Sequence, residues 1–291
     1  MINLTREQIE HALWVKVHAI EFIETYYHPI KTDPTKTFGM VAEPWQYEYF
    51  LEPFFDPYIE VQYNETSRDW DKSGLIGAAA FAERYFDSGT TRVHSGDREQ
   101  AEIILDSIRK RILNLHPELK RGEQVIDEKY QIKINTPYSK SIITNEATGR
   151  AQDATGKDIS RLIYEEMHCC VEEADKELWY ILASKGGTRK TIITNPGPKR
   201  SGLCWDVRSD VKRRYYTGDP RVYYFSAEKQ PFLPSWLDKE EIMGRPGLPE
   251  SVKRRFFLCQ WGEGGDLFSK EMIDRCMGAF EYITFDVNKV A

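Results

Sequence analysis

Thr66-Ser67-Arg68-Asp69-Trp70-Asp71-Lys72-Ser73 ends in a Lys-Ser pair and joins an alternating apolar stretch to a segment rich in small residues. Upstream, Ile59, Val61 and Tyr63 alternate with Glu60 and Gln62, as a strand does. Downstream, Gly74 to Phe86 is dense in Ala and Gly, so a helix there can approach a sheet closely. Strand, short loop and helix in that order form the setting of a phosphate-binding loop. Its backbone N–H groups cradle phosphates, its Lys reaches the outer ones and its hydroxyl meets a metal ion. The loop departs from G-x-x-x-x-G-K-[ST] at both glycines, with Thr66 and Asp71 in their places. The segments around it therefore decide the reading.

The chain has 291 residues, 41% of them apolar and 13% aromatic, enough to bury a large core. It contains no run of eighteen apolar residues and no apolar leader between Met1 and Ile9, which points to a cytoplasmic protein outside the membrane. Five cysteines without a C-x-x-C pair argue against a disulfide framework or a zinc site, and reduced, buried thiols are expected. The net charge is -6, yet ten basic residues against three acids lie between Lys185 and Arg221. Such a patch either touches phosphates or forms a solvated, charged helix or loop face.

Along the chain, Thr5 and Gln8 form a capping box for a helix to Tyr26, with Ile9, Leu13, Val17 and Ile20 as its docking face. Pro44 opens a short aromatic helix. Strands are expected at Thr91–Ser95, Tyr130–Asn135, Ser141–Thr144, Ile159–Tyr164, Thr191–Thr194 and Val222–Phe225. Helices are expected at Arg98–Leu115 and Val171–Leu182, with helical pieces broken by proline and glycine from Leu237 to Trp261. Strands alternating with helices predict an α/β fold, a mostly parallel sheet flanked by helices. Glu165-Glu166 closes a strand about ninety residues after the loop, where a phosphoryl-transfer site needs a carboxylate pair. Glu165 would hold a metal through water, and Glu166 would orient or deprotonate the attacking water.

In combination these segments resemble the ATPase domain of the large terminase subunits of tailed bacteriophages, which pump DNA into capsids. Ser67-Arg68-x-x-x-Lys72-Ser73, with Arg inside and no first glycine, is similar to that family's phosphate loop. Pro44-x-Gln46 resembles its adenine-contacting motif, and Ser95-Gly96-Asp97-Arg98 its polar helix opening. Gly156-Lys157-Asp158 through Leu162-Ile163-Tyr164-Glu165-Glu166-Met167-His168 resembles the acidic motif. Ile192-Ile193-Thr194-Asn195-Pro196 resembles the coupling motif, and Gln230–Leu233 with Arg255–Gly264 the segment closing the domain. The likeness covers about residues 40 to 270.

The resemblance implies a P-loop NTPase of the additional-strand class with a small helical lid. It implies an N-terminal helical extension over residues 1–40, an ATPase core over 41–235 and a lid or linker over 236–291, with the family's nuclease domain absent. ATP and Mg2+ are the implied cofactors. Residues 67–73 (Ser67, Arg68, Asp69, Trp70, Asp71, Lys72, Ser73) would cradle phosphate, Ser73 would join Glu165 at the metal, and Gln46 would bond adenine. Arg68 would face the γ-phosphate in cis or in a neighbour's site, and Thr194 would sense it. Trp70 stacks on a base or packs beside the loop, and His168 is structural. The implied partners are double-stranded DNA, the portal protein, the small terminase subunit and further copies in a ring on the capsid, in the host cytoplasm. Asp71, where the family has Gly, is expected to repel phosphate, so that Asp71→Gly would tighten nucleotide binding. The alternatives are a hydrolysis-impaired DNA-binding or assembly module and a helicase-like ATPase.

Overall fold

The computed structural model describes residues 4–29, 33, 35–96, 98–145, 159–170, 173–184 and 187–262. Its centre is an eight-stranded sheet. The strands are β1 (Val61–Glu65), β2 (Gly89–His94), β3 (Val125–Glu128), β4 (Gln131–Asn135), β5 (Lys140–Asn145), β6 (Arg161–Glu165), β7 (Arg189–Thr194) and β8 (Val222–Ser226). Their order is β3-β4-β5-β2-β6-β7-β1-β8. From β5 to β8 every pairing is parallel, and β3, β4 and β5 pair antiparallel at one edge.

The order places β7 between the loop strand β1 and the acid strand β6. This inserted strand defines the additional-strand class, and it brings three strand ends to one edge of the sheet. In open parallel sheets that carboxyl edge is where ligands bind. The strands read as continuous buried runs because helices cover both faces; all five residues of β1 and of β6 are buried.

One face carries the loop helix Lys72–Phe86, helix Arg98–Ile108 and the N-terminal helix Arg6–Tyr26. The capping box expected at Thr5 and Gln8 is present, with reciprocal bonds of 3.2 and 2.8 Å. The expected docking face is not the buried one. Val15, Ala19, Phe22 and Ile23 are buried, whereas Leu13 and Val17 are half exposed. Phe22 packs on Phe81 and Tyr85 of the loop helix, so the larger aromatic sets the rotation of the helix.

Further differences are local. β1 starts two residues later than the alternation indicates, and β3, short and mostly exposed, was not expected. Helix Arg98–Ile108 passes into a π-helical turn over Arg109–Leu113. The basic stretch holds a helix, Leu203–Tyr216, on the opposite face of the sheet. Its charges are largely paired: Arg208 with Glu65, Arg213 and Arg214 with Asp210, and Arg214 and Arg221 with Asp219. Lys199 and Arg200, before the helix, are exposed. Cys169 is exposed rather than buried, whereas Cys170, Cys204 and Cys259 are buried. Gly156-Lys157-Asp158 lies outside the described residues.

Candidate nucleotide site

The site grows from three strand ends. β1 ends at Glu65 and the loop runs from Thr66 to Asp71; β6 ends at Glu165 and continues into Glu166; β7 ends at Thr194 and continues into Asn195. Asp69 and Asp71 adopt left-handed backbone conformations, with φ of 66° and 58°, and Glu166 another at 48°. Asp is among the few non-glycine residues that enter this region at modest cost, which is how the loop makes its turns without glycine. Asp71 is the N-cap of the loop helix, but its side chain makes no capping bond. The first-turn N–H groups therefore face the loop, with the positive end of the helix dipole behind them, an arrangement suited to an anion.

Lys72 is buried, and its Nζ lies 3.0 Å from Glu166 Oε1 while donating to Asn195 Oδ1 at 3.2 Å. Burial alone would depress this ammonium; Glu166 and Glu165 outweigh it and hold the pKa above the ordinary lysine value. Glu166 also accepts from the backbone N–H of Asn195 at 2.9 Å and from its Nδ2 at 2.8 Å, with His168 Nδ1 at 3.1 Å. Burial would raise this carboxyl, but Lys72, His168 and Asn195 keep it well below the usual carboxylate range. Glu166 is thus an anion held at once by Lys72, His168 and Asn195.

Glu165 is the opposite case. It accepts from Ser73 Oγ at 2.6 Å through Oε1, while its buried Oε2 has no hydrogen-bond partner. Burial and then the charge of Glu166 push its pKa up to about 8, against Lys72 and the Ser73 bond. A hydroxyl beside a buried carboxylate with one unsatisfied oxygen is a hard oxygen donor set, and it fits a magnesium ion with water completing the shell. The positive charge of such an ion would also relieve the repulsion between the paired carboxylates.

Thr194 is buried. It accepts from the His168 backbone N–H at 3.2 Å, lies 3.1 Å from His168 Nδ1 and donates to Asn195 O at 2.9 Å. It is thus joined to Glu166 through His168, and His168, read from sequence as structural, stands inside the site. Asn195, which bridges Lys72 and Glu166, is the residue that motif reading left without a role. Its signal was only its position one residue past a strand end.

Other expected residues face elsewhere. Gln46 is buried and its Oε1 accepts from the Glu43 backbone N–H at 2.8 Å, capping its own short helix. The Trp70 indole is buried against Trp45 and donates to Pro231 O at 3.0 Å, so it anchors the loop rather than offering a face to a base. Ser67 Oγ donates to the same carbonyl at 2.8 Å, and Trp236 donates to Asp69 O at 2.8 Å. Exposed Arg68 stacks on Phe256, 4.2 Å from the ring centroid, and its backbone N–H donates to Phe256 O at 2.7 Å. Asp71 turns its carboxylate away from Lys72, toward Tyr27 and Arg111.

A Lys-Ser pair at the start of a loop helix, its Lys buried and facing two carboxylates across an inserted strand, defines the chain as a P-loop NTPase fold of the additional-strand class. More particularly, the fold is that of a bacteriophage large terminase. The chain aligns with the large terminase of bacteriophage HK97 at a TM-score of 0.62 and 17% identity, covering 84% of this chain and 55% of that one. It thus spans about half the length of that protein. The large terminase of a thermophilic bacteriophage, solved with ADP, aligns at 0.49 and 14% identity over 71% of this chain and 50% of that one. The large-terminase ATPase domain of Thermus phage P74-26 aligns at 0.43 and 17% identity over 58% and 68%. The fold assignment rests on the first. No protein-family profile and no curated protein matches the chain.

Proposed function

We propose that the chain is the ATP-hydrolysing motor domain of a phage DNA-packaging terminase. The observation that carries this reading is the convergence of Lys72, Ser73, Glu165, Glu166 and Asn195 from three strand ends within hydrogen-bonding distance. Nucleotide phosphates would lie on the N–H groups of the loop and the first turn of its helix. Lys72 would exchange its contacts with Glu166 and Asn195 for the outer phosphates. Glu166, released from Lys72, would orient a water and receive its proton, and Asn195 and His168 would hold that carboxylate in place. Ser73 and Glu165 would hold magnesium, which supplies charge neutralisation on the phosphates.

Thr194 would report the state of Glu166, through His168, to the segment after β7. Arg68 lies on the lid side of the loop, from which it could serve a neighbour's nucleotide. In this reading the core over 41–235 and the lid from 236 onward work on double-stranded DNA with a portal, a small subunit and further copies in a ring, in the host cytoplasm. DNA would be held through its phosphates without sequence readout. No described helix is long and apolar enough to cross a membrane.

Steady-state ATPase assays test the reading. Lys72→Ala and Glu166→Gln should each reduce turnover by at least about a hundredfold, as loss of a phosphate ligand or a general base does. A parent protein that neither binds nor hydrolyses ATP would overturn it. DNA protected from nuclease only when proheads are added separates a packaging motor from a helicase, which would unwind duplex DNA unaided.

A further inference from the structure

Asp71 occupies the second glycine position of the loop, and its surroundings reverse the expected sign of its effect. Its carboxylate, 4% exposed, accepts from the Tyr27 hydroxyl at 2.8 Å through Oδ2 and from Arg111 through Oδ1. Arg111 also donates to the Tyr27 hydroxyl at 2.7 Å. Tyr27 follows the N-terminal helix, and Arg111 lies in the π-helical turn after helix Arg98–Ile108. The two elements that flank the loop helix thus reach its N-cap from outside. The negative charge that motif logic sets against phosphate is opposed by a guanidinium and directed away from Lys72.

Gly74, one turn into the loop helix, makes this possible. A Cβ there would overlap the Arg111 guanidinium and the Tyr27 hydroxyl and come within 2.7 Å of Asp71 Oδ1. The glycine thus stands in the helix, three residues past Asp71, where it admits the anchor.

We propose that Asp71 is a positioning residue that holds the phosphate loop in its binding shape through Tyr27 and Arg111, substituting for the missing glycine. The proposal rests on the nucleotide-binding reading of the site. Its consequence is counterintuitive: restoring the consensus glycine weakens nucleotide binding, because it removes the anchor and leaves Arg111, 14% exposed, without its carboxylate.

The test measures a fluorescent ATP analogue's Kd, the ATPase KM and kcat, and hydrogen exchange of the loop amides without nucleotide. It compares the parent, Asp71→Gly, Asp71→Asn and Tyr27→Phe, with melting temperatures as a folding check. Asp71→Gly should raise Kd and KM about tenfold or more, the size expected for losing bonds to a charged group, with a smaller fall in kcat. Asp71→Asn keeps one acceptor oxygen for Arg111 but loses the second acceptor and the charge, so it should fall between the parent and Asp71→Gly, as should Tyr27→Phe. Loop amides should exchange fastest in the glycine variant and at intermediate rates in the asparagine variant. A glycine variant that binds as tightly as the parent, with unchanged loop exchange, overturns the proposal. If the parent binds no nucleotide while the exchange ranking holds, the anchor stands and the ATPase reading falls. Should Asp71→Gly fail to fold, Tyr27→Phe with unchanged KM and exchange overturns the proposal.

Discussion

At Asn195 one side chain touches both halves of the site, accepting from Lys72 and donating to Glu166. Replacing it with alanine leaves the backbone N–H bond to Glu166 in place but frees the carboxylate to rotate. Asn195→Ala should therefore lower kcat about ten- to a hundredfold with a smaller change in KM, as loss of a group that orients a base does. Steady-state kinetics checks this, and a rise in KM alone would speak against it. Lys72, Ser73, Glu165, Glu166 and Thr194 were legible in the sequence because each sits at the end of an apolar strand or the start of a helix. Strand ends in a parallel sheet share one edge, so chain position alone implies that these residues meet. Gln46, Trp70 and Asp71 were not legible in the same way. Whether an amide caps a helix, an indole packs, or a carboxylate finds a guanidinium depends on partners far along the chain: Asp71 meets Tyr27 and Arg111 44 and 40 residues away. Motif spacing contains no such information.

The elements separate along the same line. The loop helix announces itself through Ala78, Ala79, Ala80 and Ala82, all buried, whereas helix Leu203–Tyr216 sets its buried Leu203, Cys204, Val207 and Val211 among six charged residues. Those four follow helical spacing, but they are swamped by charge, so the segment reads as a basic patch. Arg208 explains part of the charge. It is buried and donates to Glu65, a fully buried carboxylate at the end of β1 that also accepts from Ser226 at 2.9 Å and from Trp261. Glu65 thus ties the loop strand to a helix, to β8 and to Trp261, far along the chain. Removing Arg208 strands a buried anion one residue before the phosphate loop. Arg208→Ala should destabilise the fold by about 3–5 kcal/mol, the usual cost of breaking one side of a buried ion pair. The midpoint of urea unfolding measures this, and a loss below about 1 kcal/mol, the value of an exposed pair, would contradict the role assigned here.

Across the whole molecule, the sheet carries a second charged cluster at the edge opposite the site. Glu83 of the loop helix accepts from Arg161 Nε and Nη2 at 2.8 and 2.7 Å, and Arg84 lies 3.0 Å away. Arg161 also bonds Thr191 on the neighbouring strand and the carbonyl of Phe54, and covers the Phe54 ring at 3.6 Å. The loop helix, β6, β7 and the aromatic segment before β1 are therefore fastened together behind the site. Lys72 at the front of the same helix is placed with respect to Glu166 partly by this fastening. Burial would raise the Glu83 carboxyl, but Arg161 and Arg84 outweigh it and hold the pKa far below the ordinary glutamate value of 4.5. A carboxyl depressed in the folded state contributes stability that is fully present above its unfolded pKa and is lost as pH falls toward its folded one. Unfolding free energy should accordingly decline with acidification below about pH 4.5, and part of that decline belongs to Glu83. Glu83→Gln should cost about 3–5 kcal/mol at neutral pH, because two buried guanidinium groups lose their anion. The difference from the parent should then narrow as the pH drops from 5 toward 2, since protonation removes the same charge in the parent that the substitution removes at every pH. Denaturant melts of both proteins over that range provide the measurement. A gap that stays constant with pH would show that Glu83 acts through packing rather than through its charge.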